Sequence, residues 1–285
     1  MSDYLHGMKN ILAIIVPSIL ALSTVAPIDL IAATGPQRGT EFVYSFNTPG
    51  ILEEAPSASE SSSPYWWIAG GGTMVIEDYV GKVGGRTLPY NDHWRQAYAR
   101  SNPLDSNNGY HPQNIFRLVG RNTWHNLDQR IQFQIDNINL TNTPNRDGYS
   151  GIFFMSRYQD QYNLYYAGIR MDGDAVIKKK YNGTYHTLAQ GRVFAPNETF
   201  NKYANPNLLP MHQWVGLRNI TKTNADGSVT IELYVDRNNA NRWEKVLTAR
   251  DNNFGGVPPI TSPGRSGIRS DYMNLKLEDY RAEEI

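Results

Sequence analysis

The sequence predicts an all-β protein built as an antiparallel β-sandwich, and three observations lead to this prediction. Residues 151–189 alternate short apolar and aromatic runs with the turn dipeptides Asp172-Gly173 and Asn182-Gly183. Such dipeptides are strong hairpin signals, because both central residues of a tight turn need positive φ. Further short strand patterns follow at regular spacing, and no long helical pattern occurs, which favours a sandwich.

The first 33 residues are predicted to be a secretory signal peptide. Lys9 gives a positive charge, residues 11–22 form a short apolar run, and Ala32-Ala33 offers small residues at a cleavage site. An uncleaved membrane anchor is the alternative, although the run is short for a membrane span. Residues 34–285 are then predicted to form one exported domain, which is large enough for a full hydrophobic core.

The composition excludes several classes of function. The chain has no cysteine, so thiol catalysis and cysteine-ligated zinc are excluded. Lys plus Arg equals Asp plus Glu at 27 each, so no net charge attracts nucleic acid or an anionic membrane. We expect no nucleic-acid partner and no membrane span after signal removal. The 18 tyrosines suit a face that contacts sugars or other proteins.

The strand patterns follow one another along the chain, with one long interruption. Residues 77–112 are predicted to be a long irregular loop with a short helix at 91–100, and loops of this length are usually functional. The predicted strands are residues 41–46, 65–68, 73–76, 114–119, 129–137, 151–157, 164–170, 175–181, 184–188, 213–219, 229–235, 245–250 and 267–277.

Alternation within the strands predicts which side chains enter the core. Eight apolar residues are assigned to it: Phe116, Leu118, Ile131, Phe133, Ile135, Ile231, Leu233 and Val235. Gln132 and Gln134 are predicted to face the opposite side.

Several of these runs resemble a known superfamily. The segments GIFFMSRYQDQYNLYYAGIR, QWVGLRNITKT, TIELYVDR and SGIRSDYMNLKLEDYR are similar to strands of concanavalin A-like lectins and glucanases, in the laminin-G-like branch. The resemblance covers roughly residues 113–281 and implies a jelly roll. It is poor evidence of activity, since the superfamily contains lectins, glycoside hydrolases, polysaccharide lyases and adhesion modules.

One polar sheet face is predicted to bind a ligand. Its expected members are Arg117, Gln132, Gln134, Arg157, Tyr166, Arg170 and Arg269. The arginine guanidinium forms paired hydrogen bonds with carboxylates, side-chain amides hydrogen-bond to hydroxyls, and Tyr rings stack on sugar rings. We therefore expect recognition of an extended, acidic or neutral polysaccharide, with Trp94 of the long loop as a further contact.

An enzyme is the main alternative. A hydrolase is disfavoured because the Glu-x-Asp-x-x-Glu strand of the superfamily's glucanases is absent. The resemblance to jelly-roll lyases implies β-elimination on a uronate polymer, with Tyr166 as the acid/base, His111 or His125 as the base, and Gln132 and Gln134 as carboxylate neutralisers. Their Gln-Ile-His strand is Gln134-Ile135-Asp136 here, which weakens this hypothesis. A structural or adhesion protein is the third alternative.

A structural calcium ion is implied by the resemblance alone. Relatives hold one between the first and last strands, where Glu41 and Asp279 lie in this sequence. No other cofactor is expected.

Overall fold

A computed structural model describes residues 40–86 and 88–285, so the predicted signal peptide at 1–33 lies outside the described residues. Within these ranges the chain forms sixteen β-strands, one α-helix and two 3₁₀ helices. All strand pairs within the sheets are antiparallel, and the described residues belong to one compact unit. The prediction of an all-β antiparallel sandwich is confirmed.

Seven strands form one sheet, which we call the front sheet. In spatial order they are β11 (Thr184–Arg192), β10 (Asp174–Tyr181), β9 (Asn163–Arg170), β8 (Gly151–Asp160), β15 (Gly264–Asp271), β6 (Ile115–Trp124) and β3 (Trp66–Gly70).

The other nine strands form the back sheet. In order they are β14 (Glu244–Asp251), β13 (Val229–Asp236), β12 (Trp214–Thr223), β7 (Leu127–Ile138), β16 (Met273–Glu284), β5 (Val80–Val83), β4 (Thr73–Glu77) and β2 (Gly50–Glu53), while β1 (Glu41–Tyr44) pairs with β16.

The main core lies between the two sheets. All eight apolar side chains that alternation assigned to the core are at most 1% exposed. Gln132 and Gln134 of β7 are partly exposed and alternate with the buried Phe133 and Ile135, as predicted. The register of β7 was therefore predicted correctly, and burial of one face of each sheet explains it.

The predicted meander is present as β8, β9, β10 and β11. Asn182 and Gly183 between the last two strands have φ values of 47° and 85°, as a tight hairpin turn requires. Gly173, between β9 and β10, also has positive φ. These turns place the outward side chains of four consecutive strands on one continuous surface.

The predicted final strand is in fact two strands in different sheets. β15 ends at Asp271, Tyr272 has a φ of 57°, and β16 begins at Met273. The chain thus passes from the front sheet to the back sheet at one residue in the left-handed region, which the sequence pattern did not reveal.

The predicted irregular segment at 77–112 contains regular elements. The predicted helix is α1 (His93–Ser101), whose first turn donates the Trp94 and Arg95 amides to the Asp92 carboxylate. β5 also lies in this segment, and the 3₁₀ helices are at Pro112–Asn114 and Phe254–Gly256. Among the described residues, no helix has the length and apolar character to span a membrane.

Candidate functional site

A groove of about 450 Å³ lies on the outer face of the front sheet. The meander, β15 and two loops contribute its walls. The lining residues are Asp105, Ile115, Pro144, Asn145, Asp147, Tyr149, Ser150, Phe153, Tyr166, Lys178, Tyr185, Arg269, Asp271 and Tyr272.

The floor of the groove is apolar. Phe153 of β8 and Tyr166 of β9 pack edge to face, with ring centroids 6.3 Å apart. Both belong to a second buried cluster on the outer side of the front sheet, together with Val119, Met155 and Val176. This cluster holds the floor rigid, because its side chains are as buried as those of the main core.

An arginine held by two tyrosines and a carboxylate lies in the middle of the groove. Arg269 donates to Asp271 (Nε to Oδ1, 3.0 Å) and to the Tyr185 hydroxyl (Nη1 to Oη, 3.1 Å), and lies 3.4 Å from the Tyr166 hydroxyl. Burial alone would lower the pKa of Arg269, but Asp271 and the tyrosines outweigh it and hold that pKa well above its usual value. The guanidinium is therefore a permanent positive charge facing the groove.

The two tyrosines differ in exposure and in acidity. Tyr166 is 4% exposed, and burial raises the pKa of its hydroxyl. Tyr185 is 47% exposed. Burial tends to raise the pKa of Tyr185, but Arg269 and Lys180 outweigh this and place that pKa below its usual value. Tyr185 is thus the more accessible and more acidic hydroxyl of the pair.

Lys178 forms one wall of the groove without a charged partner. Its ammonium lies 5.7 Å from the Tyr149 ring centroid and 5.8 Å from that of Tyr185. Within residues 40–86 and 88–285, no carboxylate reaches ion-pair distance of it. Burial and the nearby Arg170 lower the pKa of Lys178. An anion entering the groove would relieve this unpaired, partly desolvated charge.

The end wall is built by loops that lie far apart in the sequence. Asp105, in the segment after α1, accepts hydrogen bonds from Thr143 (2.6 Å), Asn145 (3.1 Å) and the Tyr272 hydroxyl (2.9 Å). Tyr272 is the residue at which the chain changes sheets, so this contact fixes the loops to the frame of the sandwich.

Four of the predicted face residues lie together on the outer face of the front sheet: Arg117, Tyr166, Arg170 and Arg269. Tyr166 and Arg269 line the groove. Arg117 pairs across the strands with Arg269 and donates to the Ala69 carbonyl (3.0 Å). Arg170 is 3% exposed, forms an ion pair with Asp172, and lies 4.5 Å from the Tyr149 ring centroid. Arg170 therefore positions Tyr149 instead of facing the groove.

The remaining face residues are not brought to this surface, so the predicted shared face is wrong for them. Gln132 and Gln134 face outward from the back sheet, on the opposite side of the sandwich. Arg157 is 1% exposed, because a strand irregularity with a φ of 51° turns its side chain inward. Its guanidinium donates to Thr223 (2.8 Å), and burial lowers the pKa of Arg157 to about 10. Arg157 has a structural role there.

The predicted catalytic set is also dispersed. His111 lies before the first 3₁₀ helix, its Nδ1 is 3.3 Å from the Gln113 amide nitrogen, and burial lowers the pKa of His111. Neither His111 nor Gln134 lines the groove that contains Tyr166. Trp94 packs against the turn at Gly72 and the ring of His93, and it too lies outside the groove lining.

The predicted calcium ligands have other surroundings. Glu41 forms an ion pair with Arg281 (2.8 Å), and Asp279 is an exposed residue with positive φ. In the part of the chain that the structure describes, no group of three or more His, Asp or Glu residues is arranged to hold a metal ion. Calcium binding stays a prediction.

Of the groove lining, only Tyr166 and Arg269 were predicted from the sequence, and the missed residues include Tyr149, Lys178 and Tyr185. A signal for two of them was present. The turn at Asn182-Gly183 fixes the pairing of Lys180 with Tyr185, and Lys178 lies two residues along the same strand face. Tyr149 comes from a loop, and no local pattern predicts its position.

Comparison with known proteins shows likeness of fold only. No protein-family model matches the chain, and no curated protein matches it. Similar solved structures include the carbohydrate-binding module CBM66 from Bacillus subtilis, with 14% identity, a TM-score of 0.40, and coverage of 60% of this chain and 82% of that one. A Bacillus subtilis protein of unknown function with a galectin-like fold has 10% identity, a TM-score of 0.47, and coverage of 87% and 97%. Basic winged bean lectin with Tn-antigen has 9% identity, a TM-score of 0.45, and coverage of 85% and 96%.

Proposed function

We propose that this protein recognises a carbohydrate, and that the groove on the front sheet holds an acidic sugar unit of an extended polysaccharide. The observation that carries the proposal is the joint placement of Arg269, Lys178 and exposed tyrosine rings around one open cavity. Export by residues 1–33 would bring this groove to polymers outside the cell.

The aromatic residues suit the apolar faces of a sugar ring. The Tyr166 and Tyr185 rings lie 6.1 Å apart and are tilted by 31°, with Tyr185 at the surface and Tyr166 at the floor. Tyr combines a flat apolar ring with a hydroxyl that exchanges hydrogen bonds with sugar hydroxyls. A ring docking on Tyr185 would lie directly beside Arg269.

The charged residues favour a carboxylate or another anion on that sugar. Arg269 already uses Nε for Asp271, while its Nη1 faces the two tyrosine hydroxyls inside the groove. Lys178 adds a second positive charge that lacks an ion-pair partner within the described ranges. A charge-assisted hydrogen bond to either group is stronger than a neutral one.

A glycan array with matched variants tests the proposal. We expect the wild type to bind acidic polysaccharides, and we expect Lys178→Ala and Tyr185→Ala to weaken that binding roughly tenfold or more, as loss of a charge-assisted contact or a stacking ring implies. Lys222→Ala is the control, since it removes an exposed lysine of β12 on the back sheet. Equal binding by the wild type and both groove variants would overturn the proposal.

Polysaccharide lyase activity is the second candidate, and the 3.1 Å contact between Tyr185 and Arg269 favours it. Arg269 would neutralise the carboxylate of a uronate. The Tyr185 phenolate would take the proton from C5, the C4–O bond would break, and its electron pair would leave with the glycosidic oxygen. That oxygen would then take the proton from Tyr185, and the product would carry a C4–C5 double bond.

This candidate assigns the acid–base role to Tyr185 instead of Tyr166, because Tyr185 is the exposed and more acidic hydroxyl. The test is ultraviolet absorbance of the unsaturated product on alginate, glucuronan and polygalacturonate. If the wild type is active, Tyr185→Phe should reduce the rate by roughly 10²–10⁴-fold while polymer binding persists. Absence of product from the wild type would leave carbohydrate recognition alone.

A further inference from the structure

A line of alternating tyrosines and lysines extends from the groove across the front sheet. Its members are Tyr149, Lys178, Tyr185, Lys180 and Tyr162, and we call it the tyrosine–lysine strip. Each ammonium lies between two rings, and the four distances from nitrogen to ring centroid are between 4.8 and 5.8 Å. The groove lining includes the first three members, whereas Lys180 and Tyr162 lie outside it.

The strip follows from the sheet geometry. Lys178 and Lys180 are two residues apart on β10, so both face outward, while Lys179 between them is fully buried in the core. Lys180 pairs with Tyr185 of β11 across the hairpin. Tyr162 is at the turn between β8 and β9, and its carbonyl accepts the Gly183 amide at the adjacent turn. Two hairpin ends thus meet at one end of the strip.

The rings of the strip are open to solvent, and its charges lack ion-pair partners. Tyr149, Tyr162 and Tyr185 are 62%, 53% and 47% exposed. Neither Lys178 nor Lys180 forms an ion pair with any carboxylate of the described residues. The nearby carboxylate Asp160 instead accepts the Tyr162 amide (2.7 Å) and the Asn163 side chain (3.1 Å) within its own turn. Exposed rings that alternate with unpaired cations match a linear chain of sugar rings bearing repeated negative groups.

We propose that the binding site continues along the tyrosine–lysine strip to Lys180 and Tyr162, and that it holds a linear anionic polysaccharide over several sugar units. This inference rests on the proposed function, because it extends the same site. The polysaccharide would carry a carboxylate or a sulfate on each repeating unit. Lys178 and Tyr185 would hold the unit in the groove, and Lys180 and Tyr162 would hold a unit farther along the chain.

The experiment measures binding of the full chain to four polymers by isothermal titration: alginate and polygalacturonate as carboxylate arms, dextran sulfate as the sulfate arm, and dextran as the neutral control. The variants are Lys180→Ala and Tyr162→Ala for the outer strip, Lys178→Ala for the groove, and Lys222→Ala as the charge control on the back sheet. Tyr162→Phe retains the ring. Thermal melting of each variant checks that the fold is kept, and we expect it to be kept because none of these side chains is fully buried.

We expect Lys180→Ala and Tyr162→Ala each to weaken binding of an anionic polymer roughly tenfold. A disaccharide of the same polymer, titrated in parallel, should bind these two variants as it binds the wild type, because it fills the groove without reaching the outer strip. Lys178→Ala should weaken both. Tyr162→Phe should weaken polymer binding less than Tyr162→Ala because it retains the ring, and Lys222→Ala should behave as the wild type. Added salt should weaken polymer binding less in Lys180→Ala than in the wild type, because one screened contact is gone.

The outcomes separate this inference from the proposed function. Loss of polymer binding in Lys178→Ala, with wild-type binding in both outer-strip variants, would overturn the strip and leave the groove. Equal affinity for dextran and dextran sulfate, with weak binding of the carboxylate polymers, would overturn the anionic class. Failure of the wild type to bind any of the four polymers would overturn the strip, and an empty glycan array in addition would overturn the proposed function.

Discussion

Lys179 allows a sharp test of the fold, because it is buried between the two outward-facing lysines of β10, Lys178 and Lys180. Its ammonium donates to Asp251 (2.9 Å), to the Val257 carbonyl (2.9 Å) and to the Pro258 carbonyl (3.2 Å). The Lys179 and Asp251 side chains are both 0% exposed. The pair thereby joins β10, the strand next to the edge strand β11 of the front sheet, to the end of β14 in the back sheet and to the segment that follows it.

We predict that Lys179→Met lowers the free energy of unfolding by about 3–5 kcal/mol, the range for removing one partner of a buried ion pair. Asp251 would keep hydrogen bonds from the Tyr165 hydroxyl (2.6 Å) and the Phe254 amide (3.1 Å), but its charge would lose the only cation that contacts it within the described ranges. Urea unfolding followed by tryptophan fluorescence measures the loss.

Two variants make the measurement specific. Lys179→Met combined with Asp251→Asn removes both charges and keeps an acceptor for Tyr165, so it should be less destabilised than the single variant. Lys178→Met changes the adjacent residue, which faces the groove, and should alter stability by less than about 1 kcal/mol while weakening glycan binding. A loss below about 1 kcal/mol in Lys179→Met would show that the buried ion pair does not hold the two sheets together.

Three further predictions follow from single positions. Arg157→Ala should lower the free energy of unfolding by about 1–3 kcal/mol, since it leaves buried acceptors unpaired; urea unfolding checks this, and a loss of glycan affinity in a fully folded variant would contradict the structural role. Gly168→Ala should cost at least about 1–3 kcal/mol because the new Cβ would lie 2.1 Å from the Ile152 carbonyl oxygen, whereas Gly50→Ala meets nothing within 4 Å and should melt near the wild-type temperature. In ultraviolet titration, Tyr185→Phe should remove a phenol that ionises below the usual tyrosine pKa, and Tyr166→Phe should leave that phenol in place. Loss of the low-pKa phenol in Tyr166→Phe instead would contradict the assignment of Tyr185 as the more acidic hydroxyl.

The parts of the fold that depend on local pattern were predictable from the sequence. Alternation placed Phe116, Phe133 and Val235 in the core correctly, because burial on one side of a strand imposes a period of two. The meander was predictable for the same reason, with Asn182-Gly183 fixing one hairpin. Arg269 was also assigned to the polar sheet face correctly, and it forms an ion pair with Asp271 in the groove.

The composition of the site depended on information that no local pattern carries. Alternation shows that Gln132 and Arg117 are polar-facing, but it does not show to which sheet each strand belongs, and they lie on opposite sides of the sandwich. Arg157 departs from the alternation because its own backbone has a φ of 51°, which turns its side chain inward. Asp105 reaches the groove through hydrogen bonds between distant loops.

Nuclear magnetic resonance with tyrosine-selective labelling would show whether a glycan occupies the groove on the front sheet. Tyr149→Phe and Tyr185→Phe variants would assign the two exposed ring signals at the groove. On addition of the polysaccharide that the array identifies, we predict that these signals shift in proportion to occupancy, while the signal of Tyr234 on the back sheet stays unchanged. Shifts at Tyr234 with unchanged signals from Tyr149 and Tyr185 would place the ligand on the opposite face of the sandwich and contradict glycan binding in the groove.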